Sequence, residues 1–353
     1  MTSSPVGPER RPERPRRGGR KSAQQPESAR EERASRRDEP PRARAEHTRK
    51  REDRRTVTPL SIPALNEYEG LHFPLDQQTL HAVVRAALQE DGAFSDVTTI
   101  ATVLSNRRAR ATLVARRAGV VAGVPLAIEA FRQLDGKMTI RVDVEDGGVV
   151  QRGTPVMFLT GHARALLSAE RVALNFMQHL SGIASLTAQY VLAVRGTGAK
   201  ILDTRKTTPG LRKLEKYAVR AGGGSNHRLD LATAVLIKDN HLAAVDGDIA
   251  VAVKRARGLA PRGAKVEVEC DRLEQVEAAL AAGADVVLLD NMPPEKLAEC
   301  VRLVKGRATI EASGGVTLDT VRTIAETGVD WISIGKLTHS APALDLALDF
   351  DPA

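Results

Sequence analysis

Six short apolar runs in the second half of the chain, each ending on a polar or charged residue, constrain the fold more than any other feature. They are KILDTRK, AVLIKDNH, KVEVEC, DVVLLDN, TIEASGG and WISIGK. From Lys238 the residues Glu269, Asp290, Ser313 and Gly335 follow at intervals of 31, 21, 23 and 22. That is the period of a strand followed by a helix, and Ala-rich segments such as RLEQVEAALAAG (272–283) and LDTVRTIAETG (318–328) fill the later gaps. Near-continuous apolar strands alternating with helices give a parallel sheet covered on both faces. The spacing predicts an irregular, incomplete α/β barrel, with two further strands to be sought in text such as AGGGSNHRLDL.

Upstream the rhythm differs. The segment FPLDQQTLHAVVRAALQEDG (73–92) has apolar residues at three- and four-residue spacings, which predicts an amphipathic helix ending at Asp91-Gly92. Residues 108–160 read as strands, through RARATLVARRAGVVAG, MTIRVDVEDGGVV and TPVMFLTG, and predict a mostly antiparallel sheet. Residues 163–194 are helical by periodicity, with a break predicted at Ser181-Gly182, and are expected to form the hinge between two modules.

Charge separates the chain into a tail and a body. The net charge is +8, and residues 1–55 carry all of it, with 18 Lys and Arg against 10 Asp and Glu. This tail has no Phe, Tyr or Trp, so it cannot bury enough apolar surface to offset its ordering entropy and is expected to be disordered. It is either a solvated extension or a weak anchor for nucleic acid, polyphosphate or an acidic partner. The remaining body balances 34 positive against 34 negative side chains, which disfavours a cationic nucleic-acid-binding body.

Other classes fall away. No apolar run reaches the ~18 residues of a membrane-spanning helix, and no secretory signal is seen at the N-terminus. Cys270 and Cys300 lie 30 apart without a CxxC pattern, so neither a disulfide framework nor a four-ligand zinc site is expected, and the cytoplasm is the expected compartment. There is no P-loop and no HExxH, and GTGAKI (196–201) lacks the third Gly of a dinucleotide fingerprint. A Gly-x-Ser-x-Gly elbow is also missing.

In an α/β barrel the active site lies at the C-terminal ends of the strands. Those ends here carry Asp203, Thr204, Arg205 and Lys206, then His227 and Arg228, then Lys238, Asp239, Asn240 and His241. Glu269, Asp290 and Ser313-Gly314-Gly315 follow. Converging on one mouth they would form a cationic pocket with two carboxylates at one side. Arg and Lys in such places suit an anionic ligand, with Arg making bidentate bonds to carboxylate or phosphate. Ser313-Gly314-Gly315, with Gly335 at the next strand end, matches the phosphate cradle built late in a barrel. Glu269 and Asp290 would take a sugar diol or a Mg²⁺ accompanying pyrophosphate. Taken singly, each Arg or Lys also reads as a solvated surface residue, and Lys336 and His339 stay open between loop and site.

In order along the chain, DTRKTTPGLRKLEKYAVRAGGGSNHRLDL, LIKDNH, EVEC, LLDN, EASGG and GKLTHS resemble the quinolinate phosphoribosyltransferase family. AERVALNFMQHLSGIAS and DVTT (96–99) fit as well, so the resemblance runs over 72–350 and leaves out only the tail. It implies an open-faced α+β sandwich (72–181) to which the end of the chain returns (340–353), and a barrel domain (182–339), with the basic tail (1–58) outside both. It also implies at least a homodimer, in which Arg171 completes the neighbour's site. The implied reaction is quinolinate plus phosphoribosyl pyrophosphate giving nicotinate mononucleotide, pyrophosphate and CO₂, a step of NAD biosynthesis. Arg171, Arg205, His227 and Arg228 would then hold the two carboxylates of quinolinate, with Thr204 and Lys206 nearby. Lys206 and Lys238 would neutralise phosphates, and Ser313, Gly314, Gly315 and Gly335 would hold the 5′-phosphate. Glu269 and Asp290 would meet ribose hydroxyls or Mg²⁺, and with Lys206 and Lys238 form the catalytic set. Lys336 departs from the small residue many relatives carry there. A molybdenum-operon relative of the same superfamily is the enzyme alternative, and a nucleic-acid binder acting through its tail is the rival from another class.

Overall fold

Leu80, Val84 and Leu88, four residues apart, are the buried stripe of the first helix, α1 (Gln77–Glu90). Asp76 caps it by accepting the Thr79 N–H at 2.8 Å, and the chain leaves it through Gly92 at φ +68°. The computed structural model describes residues 70–352; the tail expected to be disordered lies outside the described residues. A short helix α2 (Val97–Thr102) follows, capped by Asp96, which accepts the Thr99 N–H at 3.0 Å.

The strand-rich region begins with β1 (Arg108–Ala115), which alternates exposed and buried residues over its first half as a strand with one solvated face does. A two-residue strand β2 (Gly119–Val120) leads into a helix the sequence reading missed, α3 (Val124–Leu134). Residues 108–160 are therefore not strand throughout. The helix starts where Gly123, at φ +100°, turns the chain and Pro125 occupies its first turn. Then come β3 (Thr139–Val142), β4 (Val149–Val150) and β5 (Pro155–His162). β1 pairs antiparallel with β5, β5 with β3, and β2 with β4.

A 31-residue helix, α4 (Ala163–Ala193), runs unbroken through the break predicted at Ser181-Gly182. Both residues have other work. Ser181 Oγ accepts the Ala122 N–H at 2.9 Å and Ser185 Oγ accepts the Val120 N–H at 2.8 Å, docking the β2 segment on the helix. A Cβ on Gly182 would lie 2.3 Å from the Pro342 carbonyl oxygen, so the glycine marks a close backbone approach rather than a helix end.

All six strands read from the sequence are present. They are β6 (Lys200–Leu202), β7 (Val235–Ile237), β8 (Val266–Cys270), β9 (Val286–Asp290), β10 (Thr309–Ser313) and β11 (Trp331–Ser333). Helix α5 (Arg212–Ala221) follows β6, and the short α6 (Asp239–Ala243) follows β7. Helices α7 (Ile249–Leu259), α8 (Leu273–Ala281), α9 (Pro294–Val304) and α10 (Val321–Glu326) alternate with the later strands, and α11 (Lys336–His339) follows β11. The sheet order is β6-β11-β10-β9-β8-β7, all parallel, so β6 and β7 are its free ends. The two further strands sought in AGGGSNHRLDL reduce to a single parallel bridge, Leu202 to Ser225. The barrel is accordingly open between that bridge and β7. The last strand, β12 (Leu346–Pro352), returns to pair antiparallel with β1.

Candidate active site

At the C-terminal ends of the six strands lies a cavity of about 830 Å³. Thr204, Arg205 and Lys206 enter it just after β6, and His227 and Arg228 from the bridging segment. Lys238 follows β7, Glu269 and Asp290 stand at the ends of β8 and β9, and Ser313, Gly314, Gly315 and Gly335 line the far side. Twelve of the thirteen site residues expected from the sequence are thus brought to one mouth. Arg171 is not among them: it is exposed on α4.

Four strand-end expectations change. Asp203 does not line the cavity; it is fully buried beneath it, ion-paired with Lys216 of α5. Asn226 Nδ2 donates to its other oxygen at 2.6 Å, and the His227 N–H donates to it at 2.9 Å. Lys216 Nζ also donates to the His227 carbonyl at 3.0 Å. The His227-Arg228 segment is therefore pinned to the residue preceding Thr204. Burial raises Asp203 above the usual carboxylate range against the pull of Lys216, and lowers Lys216 against the pull of Asp203. Asp239, Asn240 and His241 sit exposed in α6, outside the cavity wall; His241 Nδ1 accepts the Lys238 N–H at 3.0 Å.

The cationic side of the mouth is incompletely neutralised. Burial first, and then the like charge of Arg205, depress the basicity of Arg228. Arg228 Nη1 donates to the Ala234 carbonyl at 3.0 Å, while Arg205 Nε is buried without a partner. An anion between them would relieve both conditions. On the opposite side Lys238 Nζ is ion-paired with Glu269 from the neighbouring strand.

The glycines expected to form a cradle stand where a side chain would not fit freely. Gly314 has φ +92° and Gly315 φ +61°, and a Cβ on Gly314 would lie 2.3 Å from Asn291 Oδ1. Asn291 itself adopts φ 53°, donates its N–H to the Ser313 carbonyl at 2.9 Å and its side-chain amide to Asp290 at 2.8 Å. A Cβ on Gly335 would sit 3.0 Å from the Lys206 stem, and Thr338 Oγ1 donates to the Lys206 carbonyl at 2.7 Å. His339 and Lys336, left open by the sequence, both line the cavity.

The sequence reading missed Glu311, Asn291 and, on the barrel floor, Glu267. His227 Nε2 lies 3.1 Å from Glu267 and 3.3 Å from Glu311. Burial lowers the basicity of His227, but the two carboxylates outweigh it and push it up to about 10. Burial raises Glu267.

A cationic mouth with a glycine cradle, over two carboxylates on an open parallel barrel, defines an α/β-barrel enzyme of anionic, phosphate-bearing substrates. The family comparisons fill in the rest. The model for the quinolinate phosphoribosyl transferase N-terminal domain matches residues 96–181, and that for its C-terminal domain matches 183–349. The nicotinate-nucleotide pyrophosphorylase (carboxylating) of Mycobacterium leprae is 47% identical over 272 residues, covering 75% of this chain and 95% of that protein. The probable enzyme of the same description from Bacillus subtilis is 44% identical over 260 residues, covering 74% and 89%. The solved structure of NadC from Streptococcus pyogenes is 42% identical with a TM-score of 0.75, covering 78% of this chain and 98% of that one. The chain belongs to the quinolinate phosphoribosyltransferase family.

Proposed function

We propose that this protein transfers phosphoribosyl from phosphoribosyl pyrophosphate to quinolinate with decarboxylation, giving nicotinate mononucleotide, pyrophosphate and CO₂ for NAD biosynthesis. What carries this reading is the Arg205–Arg228 pair, crowded, partly buried and with a buried Arg205 Nε unpartnered. That is a fit for two adjacent carboxylates. Arg205 and Arg228, with Thr204 and Lys206 alongside, hold quinolinate; His227, expected to join them, instead turns its ring nitrogens to Glu267, Glu311 and the Arg228 N–H, and so positions Arg228. Lys206 and Lys238 neutralise phosphates, and Ser313, Gly314, Gly315 and Gly335 hold the 5′-phosphate.

The ring nitrogen attacks C1 of the ribose as pyrophosphate leaves, and Glu269 and Asp290 stabilise the positive charge that develops there. The ring, now cationic, accepts the electrons left when the 2-carboxylate departs. No covalent enzyme intermediate is needed, so catalysis is positioning and electrostatics. Glu269 and Asp290 offer hard oxygen donors facing the phosphate cradle, a donor set that suits Mg²⁺ held jointly with substrate phosphates. When bound, the ion supplies charge neutralisation on pyrophosphate; Lys238, already paired with Glu269, shares that task.

A homodimer with shared sites belongs to the same proposal. Arg171 is exposed and outside its own cavity, and Phe94, Val97, Ile100 and Leu104 expose apolar side chains, three of them on or beside α2. Such a surface suits burial against a second copy. A cytoplasmic location fits the two free, buried cysteines. Among the described residues no helix is long and apolar enough to cross a membrane.

The test is direct. The purified protein is mixed with quinolinate, phosphoribosyl pyrophosphate and Mg²⁺, and nicotinate mononucleotide and CO₂ are followed; equal amounts are expected. Reaction of nicotinate or another base in place of quinolinate overturns the dicarboxylate role of the arginines.

A further inference from the structure

Arg205 and Lys206 reach the active cavity from a loop, residues 203–211, that joins β6 to α5. Bonds within the loop give it shape. The Lys206 N–H donates to Thr204 Oγ1 at 3.1 Å, and the Thr207 N–H donates to the Arg205 carbonyl at 3.0 Å. Where the loop sits is decided by its ties to the rest of the molecule. Asp203 anchors its start, and Thr338 holds the Lys206 carbonyl. Past Lys206, Arg212 Nε donates to Thr207 Oγ1 at 3.0 Å, and the Thr208 N–H donates to Glu215 Oε2 at 3.1 Å.

Glu215 stands in the first turn of α5 and is 0% exposed. Its second oxygen turns the other way, to α4, where Glu215 Oε1 lies 2.9 Å from His179 Nε2. A carboxylate oxygen only accepts, so the ring hydrogen is on Nε2. The His179 side chain is 38% exposed, and this is the one side-chain hydrogen bond it makes among the described residues. One fully buried carboxylate thus spends one oxygen on the substrate-binding loop and the other on the long helix. Stripping the partner from either oxygen leaves a buried acceptor bare, which costs more than the bond itself gave. Without the His179 hydrogen the carboxylate must turn or take up water, and the Thr208 N–H moves with it. Arg205 lies three residues away and must present a planar fork to a substrate carboxylate, a contact that tolerates little displacement.

Resting on the reading of the site given above, we propose that His179 and Glu215 are positioning residues for quinolinate. The pair sets the Arg205–Lys206 loop against α4, so that Arg205 is aimed before the substrate arrives. Neither residue lines the cavity, so both act through the loop and not on the substrate. Arg171 lies two turns earlier on the same helix. In the proposed dimer each α4 then serves two sites, the neighbour's through Arg171 and its own through His179.

The test compares two variants at this half-exposed position. His179→Leu keeps bulk and removes the hydrogen; His179→Gln returns an N–H donor on a side chain of similar reach. Thermal melts verify that both fold, and His179→Ala replaces the Leu variant if that one does not. Quinolinate binding, measured by calorimetry without phosphoribosyl pyrophosphate, is expected to weaken about tenfold in His179→Leu and to stay within about twofold of wild type in His179→Gln, the pattern of one lost and one restored hydrogen bond to a charged group. KM for quinolinate follows the binding, while kcat at saturation changes by less than about threefold, because Glu269 and Asp290 are untouched. Wild-type binding in the Leu variant, or equal weakening in the Leu and Gln variants, overturns the positioning role. Wild-type protein that binds no quinolinate overturns instead the functional reading on which the pair rests.

Discussion

Asp203 and Lys216 form an ion pair beneath the active mouth with Asp203 fully buried and Lys216 3% exposed. Their free valences reach the backbone N–H and carbonyl of His227. Breaking one partner strands a buried charge, so Lys216→Met or Asp203→Asn is expected to cost about 3–5 kcal/mol in urea denaturation, with the double variant costing less than the sum. Because the pair spaces Arg205 from Arg228, KM for quinolinate rises in the surviving folded fraction while KM for phosphoribosyl pyrophosphate moves little. Equal shifts in both would contradict the spacing role.

Glu269 and Asp290 are assigned to the ribosyl side of the reaction. Glu269→Ala and Asp290→Ala are each expected to lower kcat by about 10²–10³-fold, the size of a lost preorganised electrostatic contact. Quinolinate binding, measured by calorimetry without the second substrate, stays near wild type. Loss of binding in step with kcat would remove them from that role.

Gly314 combines a positive φ with a Cβ position 2.3 Å from Asn291 Oδ1. Gly314→Ala must displace Asn291 and with it the hydrogen bond to Asp290. KM for phosphoribosyl pyrophosphate is expected to rise at least about tenfold, the worth of one hydrogen bond to a charged group. Steady-state kinetics with each substrate varied in turn checks this.

The shared site gives a mixing experiment. Arg171→Ala and Lys238→Ala are each expected to be nearly inactive alone, yet mixing them under subunit-exchange conditions restores activity, because one hybrid site in each mixed dimer has both wild-type residues. No recovery, with exchange confirmed by mass, places Arg171 outside the site.

Acid stability turns on Asp135, which is buried and accepts the His162 N–H at 3.0 Å and its ring Nδ1 at 2.8 Å. Burial alone would raise its carboxyl, but these bonds and the Lys137 N–H hold it below the model-peptide 3.8. A depressed folded value means the stabilisation is present above that pH and is lost as pH falls through it. Asp135→Asn is therefore expected to destabilise the protein near neutrality and to flatten the decline below about pH 4, read from thermal melts across pH.

The barrel was legible because its strands are mostly apolar and end at chemistry-bearing residues on a nearly fixed period. Helix α3 was not, since Val124, Ile128 and Phe131 favour strands and the helix lies between Gly-rich strand text. Gly182 misled in the other direction: a helical glycine usually costs about 1 kcal/mol relative to Ala, which reads as a break until Pro342 is seen beside it. Glu267 and Glu311 were masked by their apolar neighbours. A period-2 reading would have found them, because each lies two residues before a recognised site residue, Glu269 and Ser313, on the same face of its strand. Asp203 was misassigned for a related reason: a strand-end acid looks the same in sequence whether it faces a ligand or a buried lysine. Nothing in the composition or spacing singles out Arg171, whose role came from family resemblance alone.

Helix α4 packs against the four-stranded antiparallel sheet through β1, β5 and β12, against β2 of the separate two-stranded sheet, and against β6 and α5 of the barrel. The two matched family segments meet at Gly182, in the middle of this helix. A gene cut there would hand each fragment half of a shared spine and expose the apolar flank that the other half covered. Neither piece should be made as a soluble product by itself, and the intact body should melt in one cooperative step. Recombining halves from different relatives would then succeed only when the crossover preserves the whole of residues 163–193 from a single parent.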